Sequence, residues 1–150
     1  HYPDRQTERD ILIATTGTEA AEAHRVFTPA ELLAAQVTVR RMPVGEAVVE
    51  TILDLVRACR PGEPGASAHV AAGVSWGPGP RAAQALMLAV RARALLNGRL
   101  APSVEDVAAL ARPVMIHRMA LSYAARAAGT TLADLIGRVT SEVTRIEAAA

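Results

Sequence analysis

The segment GPGPRAAQALMLAVRARALLNGR, residues 77–99, decides the fold. Two glycines and two prolines stand before Arg81, so regular helix cannot precede Pro80. A proline suits the first helical position, because its φ is preset and the N–H it lacks would be unpaired there anyway. From Arg81 to Asn97 nothing breaks a helix, and Gly98 supplies the residue that ends one in the left-handed conformation. The run is apolar nearly all round, and Ala82, Ala85, Ala89 and Ala92 allow close approach of neighbours. It reads as the central buried helix of a helical domain.

Further helix signals lie on both sides. Asp4 caps a first helix with Glu8 in its opening turn, and the apolar Ile11, Leu12 and Ile13 give way to Thr15, Thr16 and Gly17 at its end. Thr28, Pro29 and Glu31 form a capping box that starts a second helix, reaching about Arg41. A third starts near Val44: Val44, Val48, Ile52, Leu55 and Cys59 recur at helical spacing, with Glu46, Glu50, Asp54 and Arg57 on the wet side. Nine of the 19 Gly and Pro residues fall between Pro61 and Pro80, which predicts a long loop with room for a short extended segment over His69 to Trp76. Beyond the central helix, Ser103 and Asp106 cap another, which Pro113 interrupts or kinks. Residues 115–123 fit a helix or a short strand, and periodicity does not decide between them. Gly129 precedes a last helix, about Thr131 to Ile146, spaced by Leu132, Leu135, Ile136, Val139 and Val143. The fold class is therefore mainly all-α: a helical bundle with a long Gly/Pro-rich loop and up to two short strands.

The 150 residues are 51% hydrophobic and 21% charged, which suffices for one domain with a real core. A net charge of +1 gives nucleic-acid binding no electrostatic support. All 16 basic residues are Arg, and without Lys there is no P-loop lysine, no Schiff base and no lysine base. This chain alone hydrolyses no nucleotide through a P-loop. Cys59 is the sole cysteine, so neither an intramolecular disulfide nor a thiolate metal cluster forms, as suits a reducing compartment. No apolar run approaches the roughly 20 residues that span a bilayer, and no leader is recognisable. Soluble and intracellular is the expectation. The first residue, His1 in place of Met, suggests a domain of a longer product whose chemistry lies elsewhere.

Several residue patterns invite a chemical reading. Gly73-Val74-Ser75-Trp76-Gly77 matches the GxSxG elbow of serine hydrolases, but that elbow needs a strand before it, a helix directly after it and βαβ alternation around it. Here Gly77-Pro78-Gly79-Pro80 follows, so chance occurrence in a glycine-rich stretch is the better account. His1, His24, His69 and His117 show no HxH or HExxH spacing, so no metal site is expected. His117 and Arg118 lie among Met115, Ile116, Met119 and Leu121, a setting for helix packing or for holding a loop carbonyl. The dipole of a first helical turn accounts for Glu105 and Asp106. Arg81 stands apart: it lies in the first turn of the central helix, where backbone N–H groups favour an anion, and its planar guanidinium suits a phosphate. A solvated or carboxylate-paired arginine is the bland alternative, and the local pattern alone favours it.

A series of stretches in the same order resembles the C-terminal lid domain of MoxR-family AAA+ ATPases. Tyr2-Pro3-Asp4 with Glu8, Arg9, Ile11 and Leu12 looks like the family's YPxxxEExxIL; Thr28-Pro29-Ala30-Glu31-Leu32-Leu33 like its SPEELL; Val56-Arg57-Ala58-Cys59-Arg60-Pro61 like its VRATRxP. Gly77-Pro78-Gly79-Pro80-Arg81-Ala82 resembles GASPRA or GAGPRA, followed by Ala94-Leu95-Leu96-Asn97-Gly98-Arg99 for ALLxGR. Pro102, Asp106 and Val107, then His117-Arg118 and Leu121-Ser122-Tyr123, resemble TPxDV and HRxxLSYEA. Gly79 replaces the motif serine, and Ala124-Ala125 replace the final Glu-Ala, which removes an acid.

The resemblance implies an AAA+ lid-type bundle, one structural unit over 1–150, in which residues 1–17 form the hinge and first helix leaving an ATPase core and 18–150 form the lid. It implies that Arg81 is sensor 2, a catalytic arginine reaching the γ-phosphate of ATP, with Gly79 and Pro80 beside the nucleotide and Tyr2 and Pro3 bordering the adenine from the hinge. An arginine that touches this phosphate only in the closed lid makes lid angle follow nucleotide state. ATP and Mg would belong to the intact protein, with no cofactor in this part. Further implied are an AAA+ core upstream in the same chain, neighbouring subunits of a cytoplasmic ring, a von Willebrand factor A domain protein as partner, and a chaperone-like maturation role. A free-standing helical interaction module is the competing reading, with a Ser75 hydrolase behind it.

Overall fold

The protein is described by a computed structural model that covers residues 2–18 and 24–148, with side chains through Arg145. His1 lies outside the described residues. The chain divides into two compact units, residues 1–34 and 35–150. In the first, α1 (Arg5–Thr16) starts where Asp4 accepts from the Thr7 amide at 2.9 Å, and none of its residues is buried. The next helix, α2 (Pro29–Arg41), starts on the expected box: the Glu31 amide donates to Thr28 Oγ1 at 3.2 Å, and the Thr28 amide to the Glu31 carboxylate at 2.7 Å.

The second unit is a bundle of α3 (Glu46–Ala58), α5 (Pro80–Leu96), α6 (Val104–Met115) and α8 (Leu132–Ala148), in which α3 meets the other three and α6 also packs on α5 and α8. Leu55, Leu86, Val90, Val107, Met115, Ile136 and Val139 fill its centre with no more than traces of exposure. Each such side chain contributes about 1.5–3 kcal/mol through burial. The bundle and the helix sequence bear out the mainly all-α reading.

Three expectations need correction. The central helix, α5, is not buried all round: only Ala82, Leu86, Val90 and Ala94 are, one stripe at four-residue spacing, because its other side lacks a comparable layer of helices. The Pro61–Pro80 stretch is not all loop, since Ala68–Gly73 is a short helix (α4), made possible by a run of seven residues, Ala66 to Ala72, without Gly or Pro. The extended segment shrinks accordingly to β1 (Val74–Trp76). Pro113 does not interrupt α6, which continues to Met115; the carbonyl it frees belongs to Ala109, on the exposed side where water can take it.

The ambiguous stretch 115–123 divides into the end of α6, the strand β2 (Ala120–Leu121) and the start of α7 (Tyr123–Ala127). β2 pairs antiparallel with β1, Val74 opposite Leu121 and Trp76 opposite Ala120. Ser75 is thereby the extra residue of a bulge. Gly98 has φ +69° and ends α5 in a Schellman arrangement, with the Arg99 amide on the Ala94 carbonyl at 2.9 Å and the Gly98 amide on that of Leu95 at 3.0 Å.

Candidate functional site

The loop before α5 rests on the end of α3. A Cβ on Gly77 would stand 2.3 Å from the Cys59 carbonyl oxygen, so only glycine allows this approach. Next to it, Arg60 Nε donates to the Pro78 carbonyl at 2.8 Å, and Pro78 is buried. Glu63 braces Arg60 at 3.5 Å and takes Arg57 at 3.0 Å. Gly79 and Pro80 are exposed and open α5; Gly79 has no side chain to cap the helix, and Pro80 stands at its first position.

Arg81 follows in that first turn, exposed, and among the described residues its guanidinium has no hydrogen bond or ion pair. Of the two bland alternatives, the carboxylate-paired arginine is absent among the described residues, while the solvated one matches this exposure. An uncapped helix start and a free guanidinium fit a phosphoryl group, since both present N–H donors and positive charge to it. Tyr2 and Pro3 belong to the first unit and are exposed.

At the other end of α5 lies a charged cluster whose role the dipole reading of Asp106 missed. Asp106 is 1% exposed and takes Arg99 Nη1 at 2.7 Å, Arg99 Nη2 at 2.6 Å and Arg93 Nη1 at 2.6 Å. It also accepts from the Ser103 amide at 2.9 Å, one half of the α6 capping box. The Arg99 bonds hold its carboxyl well below the usual range, with the Ser103 amide and Arg93 helping against the cost of burial. The pairing of Arg99 with Asp106 across a tight turn was the available signal. This cluster joins α5 to α6 and leaves the carboxylate no room to act on a ligand.

The remaining patterns have structural uses. Ser75 Oγ donates to the Ala120 carbonyl at 3.1 Å from its bulge, and a loop rather than a helix follows β1, so the hydrolase elbow is absent. Among the described residues no group of three His, Cys, Asp or Glu could hold a metal. His69 lies 3.7 Å from Glu142, and Arg118 Nε donates to the Val114 carbonyl at 2.9 Å in the last turn of α6. Among the described residues no helix is long and apolar enough to cross a membrane.

Comparison with known proteins agrees with this geometry. Residues 66–139 match the family model described as AAA lid domain. The chain is 30% identical over 142 residues to Chaperone MoxR1 of Mycobacterium tuberculosis, covering 95% of this chain and 37% of that protein. Its fold matches the crystal structure of a proposed ATPase from Cytophaga hutchinsonii with a TM-score of 0.80 at 25% identity, over 93% of this chain and 42% of the other. The bundle is thus an AAA lid domain. Its family is that of the MoxR AAA+ ATPases, to which this chain belongs. The chain spans about two fifths of the length of the relatives it matches.

Proposed function

We propose that this chain is the nucleotide-sensing lid of a MoxR-type ATPase, with Arg81 as its sensor 2 arginine. The observation that carries the reading is the free guanidinium of Arg81 at the uncapped start of α5, inside the GPGPRA stretch. When ATP is bound by an ATPase core, Arg81 donates to its γ-phosphate, with Gly79 and Pro80 alongside; the core supplies the Mg ion and the attacking water. The guanidinium neutralises charge that develops on the transferred group and favours the closed lid only while that phosphate is present. Residues 1–17 form the hinge, where Tyr2 and Pro3 border the adenine, and 18–150 form the lid. The half-exposed Ile11, Leu12 and Ile13 of α1 support a covering partner, which we take to be the core itself. Ring assembly in the cytoplasm, a von Willebrand factor A domain partner and a chaperone-like maturation role complete this reading by analogy with the family.

The test is MgATP hydrolysis by the protein carrying this chain and its core, wild type against Arg81→Ala, with light scattering to confirm equal assembly. Loss of a donor to the transition state should lower turnover about 10²-fold. Unchanged turnover with assembly intact would overturn the sensor assignment and favour the interaction-module reading. A specific feature supports that second reading: an open groove of about 640 Å³ between α4, α7 and α8, floored by Gly73 and Leu135 with Arg138 on its wall.

A further inference from the structure

We propose that Arg60, at the end of α3, is the positioning residue that aims Arg81; the inference rests on Arg81 being the nucleotide sensor. Among the described residues the Arg81 guanidinium has no hydrogen bond or ion pair, so its placement depends on how the start of α5 is held. That start is tied to the bundle by the buried Ala82 within the helix and, in the loop leading into it, at two adjacent points, the Gly77 backbone against the Cys59 carbonyl and the Pro78 carbonyl on Arg60 Nε at 2.8 Å. The first contact only prevents approach. The second is directional, it joins residues 18 apart in sequence, and its donor is braced by Glu63. Beyond Pro78 the chain passes through Gly79, where a Cβ would meet nothing within 4 Å, and packing resumes only at Ala82, after Arg81. Removing the Arg60 bond therefore leaves Pro80 and Arg81, the two helical residues ahead of the buried Ala82, without their directional tie, and lets the Arg81 guanidinium drift off its target. A displacement of about 1 Å at a reacting centre is enough to cost up to 10²-fold in rate.

The experiment measures kcat and KM for MgATP in the core-containing protein, for Arg60→Ala, Arg60→Lys, Arg81→Ala and the double alanine variant, with the melting temperature of each. The expected result is a loss of about tenfold in kcat for Arg60→Ala with KM within about twofold, because aim and not nucleotide binding is lost. Arg60→Lys, whose ammonium can also donate to the Pro78 carbonyl, should recover most of it. In the Arg81→Ala background Arg60→Ala should change nothing further, since the two act as one unit. An equal fold-loss in both backgrounds overturns the proposal, as does full activity of Arg60→Ala beside an impaired Arg81→Ala. If Arg81→Ala itself is fully active, the sensor reading falls and this proposal with it. Should Arg60→Ala fail to fold, Glu63→Ala removes the brace instead, and undiminished kcat in that variant overturns the proposal equally.

Discussion

Arg99 holds Asp106 by both terminal nitrogens of its guanidinium, Nη1 at 2.7 Å from one carboxylate oxygen and Nη2 at 2.6 Å from the other. The Schellman turn at Gly98 brings Arg99 back beside α6, and Arg93 reaches the same carboxylate from the last turn of α5. Asp106→Ala removes the acceptor of three charge-assisted bonds and of the α6 cap. Both arginines are roughly two fifths exposed and can turn to water, which lowers the cost from that of a fully buried ion pair. The expected destabilisation is about 2–3 kcal/mol in urea denaturation, and a loss below about 0.5 kcal/mol would show the cluster to be ornamental.

The same carboxylate makes stability pH-dependent on the acid side. Its folded pKa lies below the unfolded value, chiefly because of Arg99. Its contribution is therefore complete above the unfolded aspartate pKa of about 3.9 and drains away as pH falls through that value toward the folded one. Wild type should lose more stability between about pH 5 and pH 2 than Asp106→Asn does over the same interval. Parallel acid limbs in the two proteins would contradict this.

Gly77 and Gly65 lie in the same Gly/Pro-rich stretch, yet a methyl group meets different surroundings at each. At Gly77 it would strike the Cys59 carbonyl, a backbone atom that cannot swing aside, whereas at Gly65 nothing lies within 4 Å. Gly77→Ala should cost about 1–3 kcal/mol and Gly65→Ala less than about 0.5 kcal/mol. Thermal melting of the two variants side by side checks the contrast, and equal effects would refute the close approach.

Cys59 is fully buried, and burial, aided by Glu142, pushes its thiol up to about 12. Since the thiolate is the nucleophile, the folded protein should resist a disulfide reagent such as dithionitrobenzoate at pH 8 and react only as fast as it unfolds. Reaction at the rate of a free thiol would place Cys59 at the surface.

How much was legible in the sequence follows from how far each signal reaches. The starts at Asp4, Thr28 and Ser103 and the stop at Gly98 could be read directly, because caps and left-handed turns act within a few residues of themselves. Arg81 stood out for the same reason: Pro80 and a helix start place it locally, and the GPGPRA stretch reinforces it. Other features depend on distant residues. The pairing of Val74 with Leu121 decided that residues 115–123 contain a strand, and nothing within those nine residues announces a partner over 40 positions away. The buried stripe of α5 was likewise invisible, because an alanine-rich helix looks the same on every side until its neighbours choose one.

Short-range sterics and hydrogen bonding thus made the six longer helices among the described residues, most of their starts and the arginine at the head of α5 legible in the sequence by itself, while the short α4 and α7 escaped notice. Only the tertiary structure decided that Asp106 is a buried anchor rather than a first-turn acid, and that Arg60 reaches the Pro78 carbonyl. Both roles come from burial and from contacts made after the helices pack, when groups far apart in the chain lose water together and must satisfy one another.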